Sequence, residues 1–237
     1  MRIHALALAA LASVLVAGCA VESTDEDDSN AEPASSEGAL RVTGFVEPRL
    51  SSAERATILA KYDSVDPSDV IPKTLREDAL VFYDANKAKI TNKSYLTVVD
   101  FSKHSGKKRF WLIDMRTGSV QSTVVAHGSG SDSDNDGYAD KFSNVSGSNA
   151  SSLGYYLTAE TYSGNHGRSL RLDGLSDSNY RVRDRAVVIH TAAYVNDGNA
   201  KQGRSWGCMV LDDGVKDAII DKIKGGSVIY AGLSSQR

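Results

Sequence analysis

Two side chains near the C-terminus could do nucleophilic chemistry together. Cys208 sits in Gly203-Arg204-Ser205-Trp206-Gly207-Cys208-Met209-Val210, and His190 ends the apolar run Val187-Val188-Ile189. A thiol at its ordinary pKa of about 8.5 is mostly protonated at neutral pH, so a nearby imidazole is the usual device for generating thiolate. His190 is the nearest in sequence to Cys208 among His104, His127, His166 and His190. A histidine that ends an apolar strand emerges at a sheet edge, a good place for a base. Gly207 lets the backbone bend closely enough for N–H groups around Cys208 to converge on one point, as an oxyanion hole requires. Each residue alone also has a plainer reading, the cysteine as a small buried hydrophobe and the histidine as a hydrogen-bonded structural group. Their joint appearance, with Ser-Trp-Gly before the thiol, favours acyl transfer by a cysteine nucleophile, a chemistry that requires no cofactor.

The compartment sharpens this reading. Met1 and Arg2 lead into an apolar run from Ala5 to Ala17, too short to span a bilayer as a stable helix but suited to an export signal. Its end, Leu15-Val16-Ala17-Gly18-Cys19, resembles the lipobox of bacterial lipoproteins. That resemblance implies a signal peptide over residues 1–18, lipid on the Cys19 thiol and, with Ala20 following, an anchor on the periplasmic face of the outer membrane. Cleavage before an unmodified cysteine is the alternative. The chain has two cysteines, so lipidation of Cys19 leaves Cys208 alone where thiols are normally oxidised into pairs. Residues 19–38 are acidic and small, with almost nothing to bury, and read as a disordered tether that extends by self-repulsion.

The remainder, 39–237, has the composition of one globular domain. The 237-residue chain is 41% hydrophobic and 24% charged, with a formal net charge of -3. No basic stripe stands out, which sets nucleic acid aside as a partner.

A helical segment over residues 51–90 comes first. Ser51-Ser52-Ala53-Glu54 suits a helix start, with Ile58 and Leu59 on its apolar face before a break at Asp66-Pro67. Pro72 opens a stronger helix with Leu75, Ala79, Phe82 and Tyr83 on one side, running to about Lys89. From Tyr95 the rhythm changes to short strands: Tyr95 to Asp100, Arg109 to Asp114 and Val120 to Ala126, with turns at 103–107 and 116–118, an antiparallel meander. Further strands are expected at Tyr155 to Ala159, Ser169 to Leu172, Ala186 to His190 and Ser227 to Tyr230, with a short helix from Val215 to Ile223. The fold class is therefore mainly β, of sandwich or barrel type, with a small N-terminal helical segment.

At the reactive residues the sequence resembles the catalytic domain of murein L,D-transpeptidases of the YkuD type. Their signature is a histidine, about fourteen to seventeen residues, then Ser/Thr-His-Gly-Cys; here Thr191 to Arg204 separate His190 from Ser205-Trp206-Gly207-Cys208. Trp206 replaces the second histidine, as in one branch of the superfamily, and Val210 stands where a polar residue is common. Segments 125–130, 142–144, 164–172 and 185–190 are similar to that branch, and the likeness covers roughly Tyr95 to Leu233. The resemblance implies Cys208 as nucleophile, His190 as base, the Thr191 carbonyl as orienter of the imidazole, and N–H groups of Gly207, Cys208 and Trp206 as oxyanion donors. It implies a sandwich- or barrel-like catalytic fold and peptidoglycan as partner. The reaction implied is attack of Cys208 on a stem tetrapeptide, loss of D-Ala, and transfer of the acyl group to an amine on a second stem through a thioester. A carboxypeptidase or other hydrolase at the same site, and a non-catalytic lipoprotein that binds the cell wall, are the alternatives. Arg204 and Ser205 are candidate substrate-binding residues, Arg204 because its planar fork suits a carboxylate, with a solvated arginine the other reading. His166 or His127 is a second imidazole or a structural residue.

A separate acidic stretch, Asp132-Ser133-Asp134-Asn135-Asp136-Gly137-Tyr138-Ala139-Asp140, follows the first part of an EF-hand calcium loop, with ligands at Asp132, Asp134, Asp136, the Tyr138 carbonyl and Asp140. Position twelve is Ser143 rather than glutamate. A structural calcium and a solvated, metal-free acidic turn are the two readings.

Overall fold

A computed structural model describes residues 42–236. The segments read above as a signal peptide and an acidic tether, together with Cys19, lie outside the described residues.

Helix α1, Ser52–Leu59, starts as the sequence indicates. The Ser51 hydroxyl accepts from Glu54 N at 3.4 Å while the Glu54 carboxylate accepts from Ser51 N at 2.8 Å, a reciprocal cap that satisfies donors the helix cannot satisfy itself. Helix α2, Lys73–Asn86, buries Leu75, Ala79, Phe82 and Tyr83 along one face. Asn86 closes it, donating to the carbonyls of Phe82 and Val46 and accepting from Val46 N, so the leading segment is sewn to the helix end.

The β-rich body holds nine strands: β1 Tyr95–Asp100, β2 Phe110–Asp114, β3 Val120–Thr123, β4 Val125–Ala126, β5 Gly154–Gly164, β6 Gly167–Gly174, β7 Val188–Thr191, β8 Met209–Leu211 and β9 Val228–Gly232. Helix α3, Asp213–Ile223, lies between the last two. The strands form one sheet in the order β3-β2-β1-β9-β5-β6-β7-β8-β4. The two edges, β3 and β4, are consecutive in the chain, separated by Val124 alone. A single extended segment thus leaves one edge and enters the other, and the sheet curls into a nearly closed, barrel-like body. Closure of this kind removes the exposed edges that an open sheet would present.

Side-chain alternation divides the apolar residues between two faces. Phe110, Leu112, Val99, Ile229 and Ala231 pack inside with Ile219, Ile220 and Ile223 of α3. Trp111, Ile113, Leu96, Val98 and Val228, which alternate with them, pack outward against Leu75, Ala79 and Phe82 of α2. The helical segment therefore covers the outer face of β1, β2 and β9.

The three-strand meander is present, with β1, β2 and β3 antiparallel. Two pairings differ from a plain meander: β1 with β9 and β7 with β8 run parallel. β8 itself was not expected, being three residues long and hidden inside the cysteine motif.

Candidate active site

The parallel pair β7–β8 brings the two reactive residues onto one face. Ile189 lies opposite Met209 and His190 opposite Val210. Cys208 is two residues before Val210, so it shares the face of Val210, Val188 and His190 and packs in a small cluster with Val124, Ala126, Val188, Val195 and Val210. With strands about 4.8 Å apart and about 3.3 Å per residue, the His190 and Cys208 Cα atoms stand diagonally about 8 Å apart, a span their side chains can bridge. Cys208 is 6% exposed and His190 1%.

His190 is held in one tautomer. Its Nδ1 lies 2.8 Å from the Thr191 carbonyl oxygen, which can only accept, so Nδ1 carries the proton. In the neutral ring the lone pair is then on Nε2, the nitrogen a general base uses. His166 sits at the two-residue turn between β5 and β6, and its ring packs on that of His190 with centroids 4.4 Å apart and planes tilted by 33°.

The turn before Cys208 is built around Gly207, whose φ is +113°. A Cβ there would lie 2.7 Å from the Ala150 carbonyl oxygen and 3.2 Å from an Arg185 terminal nitrogen, so no side chain fits. Ser205 is fully buried, and its hydroxyl donates to the Cys208 carbonyl at 2.9 Å and accepts from Gly207 N at 3.1 Å. It therefore braces the turn from within instead of facing a substrate, and it engages the Gly207 N–H that an oxyanion hole would use. Trp206, two residues before Cys208, is 41% exposed. Arg204 donates to the Asp132 carbonyl and is half-buried.

His127 belongs to another network. Its Nδ1 accepts from Arg109 at 2.7 Å, since a guanidinium can only donate, and its Nε2 donates to Asp132 at 3.1 Å. Burial, then the Arg109 charge, pushes its pKa down to about 2. The contact with Asp132 is a hydrogen bond from a neutral ring, not an ion pair, and both ring nitrogens are committed to structure.

The acidic loop gathers Asp132, Asp134 and Asp136, with oxygens within 4.8 Å of one another. Asp132 is turned inward and accepts from the Asp136 and Gly137 amides as well as His127. The Tyr138 amide donates to Asp136, and Asp140 is not among the gathered carboxylates.

One residue at the site was missed by sequence reasoning. Arg185, just upstream of β7, donates to the carbonyls of Ser143 and Ala150 and to the hydroxyls of Ser148 and Ser152. It anchors the 143–152 loop against the Gly207 turn. The family-like segment 185–190 includes it but assigns it no role, because its partners lie more than thirty residues away in sequence.

Comparison with known proteins identifies the domain. The family model described as the L,D-transpeptidase catalytic domain matches residues 67–231, more than half of the chain. No curated protein matches. Among solved structures, an L,D-transpeptidase from Mycobacterium smegmatis is 13% identical with a TM-score of 0.38, over 59% of this chain and 59% of that one. Bd1075 of Bdellovibrio bacteriovorus is 15% identical with a TM-score of 0.38, over 60% of this chain and 48% of that one. An L,D-transpeptidase from Xylanimonas cellulosilytica is 13% identical with a TM-score of 0.34, over 59% of this chain and 60% of that one. The aligned region thus spans about half to three fifths of those structures. On the match of the family model over 67–231, this chain belongs to the L,D-transpeptidase catalytic-domain family.

Proposed function

We propose that this chain is a cysteine-dependent acyltransferase of peptidoglycan stem peptides, with Cys208 as nucleophile and His190 as general base. The observation that carries the reading is the His190 Nδ1 bond to the Thr191 carbonyl, which leaves Nε2 as the basic nitrogen on the face that holds Cys208. His190 Nε2 takes the thiol proton, and the thiolate adds to the carbonyl carbon of the donor stem. With Gly207 N–H turned to Ser205, the oxyanion falls to the N–H groups of Cys208 and Trp206. Collapse breaks the C–N bond as the imidazolium protonates the departing D-Ala amine, leaving a thioester on Sγ. An amine of a second stem, losing its proton to Nε2, attacks the thioester and expels the thiolate, which completes the cross-link. Lipid on Cys19 anchors the enzyme to the envelope, on the periplasmic face of the outer membrane.

Incubation of the purified protein with tetrapeptide muropeptides, followed by intact mass, tests this. The expected result is a covalent adduct lost in Cys208→Ala, together with a cross-linked product. An adduct with only hydrolysed product replaces transferase by hydrolase, and no adduct refutes the enzymatic reading.

A further inference from the structure

We propose that Arg185 is the counter-charge of the Cys208 thiolate, a positioning residue that lets this site ionise its nucleophile without the second motif histidine that Trp206 replaces. The proposal rests on Cys208 being the nucleophile.

The guanidinium is half-buried, and its partners are all neutral. One terminal nitrogen donates to the Ser143 carbonyl and the Ser152 hydroxyl, both at 2.7 Å. The other donates to the Ala150 carbonyl at 2.6 Å and the Ser148 hydroxyl at 3.3 Å. Those four bonds use all four terminal N–H groups, so Arg185 has none left to clamp a substrate carboxylate. Among the described residues no carboxylate pairs with it. A guanidinium does not escape such a position by losing its proton, so its charge is left to act on its surroundings.

The group placed to answer that charge is the thiol. The same terminal nitrogen that binds Ala150 lies 3.2 Å from where a Gly207 side chain would begin, one residue from Cys208. The Cys208 thiol donates to the carbonyl of Ala186, the residue after Arg185, at 3.8 Å, a bond it gives up when it ionises. Asp184 precedes Arg185 in the chain and is exposed, but it is not among the groups that act on the guanidinium. The 143–152 loop contains only serines, asparagines, Val145, Gly147 and Ala150. Strand β5 contributes Tyr156, whose phenol burial holds well above its ordinary range and therefore neutral. Arg181, on the same turn as Arg185, is a second cation. Strand β7 contributes His190, with His166 stacked on it. Burial lowers the Arg185 pKa, and with Tyr156 neutral the negative charge that opposes this is that of Cys208. By reciprocity a cation beside the Gly207–Cys208 turn favours thiolate over thiol; an opposite charge within about 4–6 Å typically lowers a group's pKa by about one to three units.

The rate of iodoacetamide alkylation of Cys208 against pH, followed by intact mass on the full-length protein, reads the thiol directly. The expected midpoint in the wild type lies well below about 8.5. It rises by about one pH unit or more in Arg185→Gln and stays low in Arg185→Lys, which keeps the charge but not the fork. In His190→Asn combined with His166→Asn, where neither stacked imidazole remains, the midpoint stays below about 8.5 because Arg185 is still present. An unchanged midpoint in a folded Arg185→Gln overturns the proposal. Should that variant not fold, the midpoint of the double histidine variant decides: a value at or above about 8.5 overturns it equally. Loss of stem-peptide acylation with a low alkylation midpoint would sink the proposed function and leave the role of Arg185 standing.

Discussion

The His127 ring makes a quantitative claim about acid stability. Protonating it would place a proton on Nδ1, against an Arg109 guanidinium already donating at 2.7 Å, in a pocket where the ring is 1% exposed. Its pKa is accordingly pushed down to about 2, whereas in the unfolded chain an imidazole titrates near 6.5. Between those values the unfolded state binds a proton that the folded state refuses. The contribution is therefore fully present above pH 6.5 and is lost as pH falls through the window between 6.5 and 2. From pH 7 to pH 5 the loss is about 2 kcal/mol, a large share of the roughly 5–15 kcal/mol that holds a domain folded. In urea this moves the midpoint down by roughly 0.6–1 M. The other histidines are common to the wild type and to His127→Gln, so the comparison isolates this ring. Gln keeps an acceptor and a donor but cannot titrate, and its urea midpoint should fall much less over the same interval. Equal losses in the two proteins between pH 7 and pH 5 would show that the Arg109–His127–Asp132 network does not exclude the proton.

Other substitutions probe the scaffold and the chemistry. Gly207→Ala and Gly147→Ala both put a side chain at positive φ, but Gly147 has nothing within 4 Å of the new Cβ, whereas Gly207 faces the Ala150 carbonyl at 2.7 Å. Gly147→Ala should cost about 1–2 kcal/mol and Gly207→Ala about 2–3 kcal/mol more, and equal melting temperatures would refute the packing argument. Phe82 stacks on Tyr155 with ring centroids 3.7 Å apart and couples α2 to the sheet. Phe82→Ala should cost about 3–5 kcal/mol in a denaturant titration, and a loss under about 1 kcal/mol would mean the helical segment adds little to the barrel. His190→Gln, assayed for acyl-enzyme formation by mass, should be slowed by about a hundredfold to ten thousandfold, and an unslowed variant removes His190 as the base.

The elements that read most clearly are those whose local pattern agrees with their environment. Tyr95 to Asp100 is β-branched and apolar because β1 is covered on both faces, and a short apolar run between turns states that directly. The capping box at Ser51 and the apolar stripe of α2 are equally local. What could not be read is pairing across long loops. β1 meets β9 in parallel after most of the domain has intervened, a partnership decided by barrel closure and not by turn chemistry. Val120 to Ala126 reads as one strand and is nearly so, yet at Val124 it exchanges β2 for β8, and no residue type announces the switch. Strands β5 and β6 run beyond their apolar centres to Gly164 and Gly167, because backbone pairing continues into a polar hairpin whose side chains carry no burial signal.

The same distinction separates the site residues that sequence reveals from those it hides. Cys208, His190 and Gly207 are legible because their chemistry or backbone conformation is intrinsic to the residue. The fate of Ser205, His127 and Arg185 depends on what stands opposite them. Ser205 looks like a polar group beside a nucleophile, but its hydroxyl is spent bridging Gly207 N and the Cys208 carbonyl. His127 looks like a spare imidazole until Arg109 and Asp132 take both its nitrogens. Arg185 carries no role that the sequence states, yet its fork fills the space beneath Gly207 and fastens the loop that walls the turn. The glycine, the arginine and the Ala150 carbonyl therefore form one steric unit. A side chain at 207 would have to displace a loop carbonyl and a guanidinium together, one residue from Cys208.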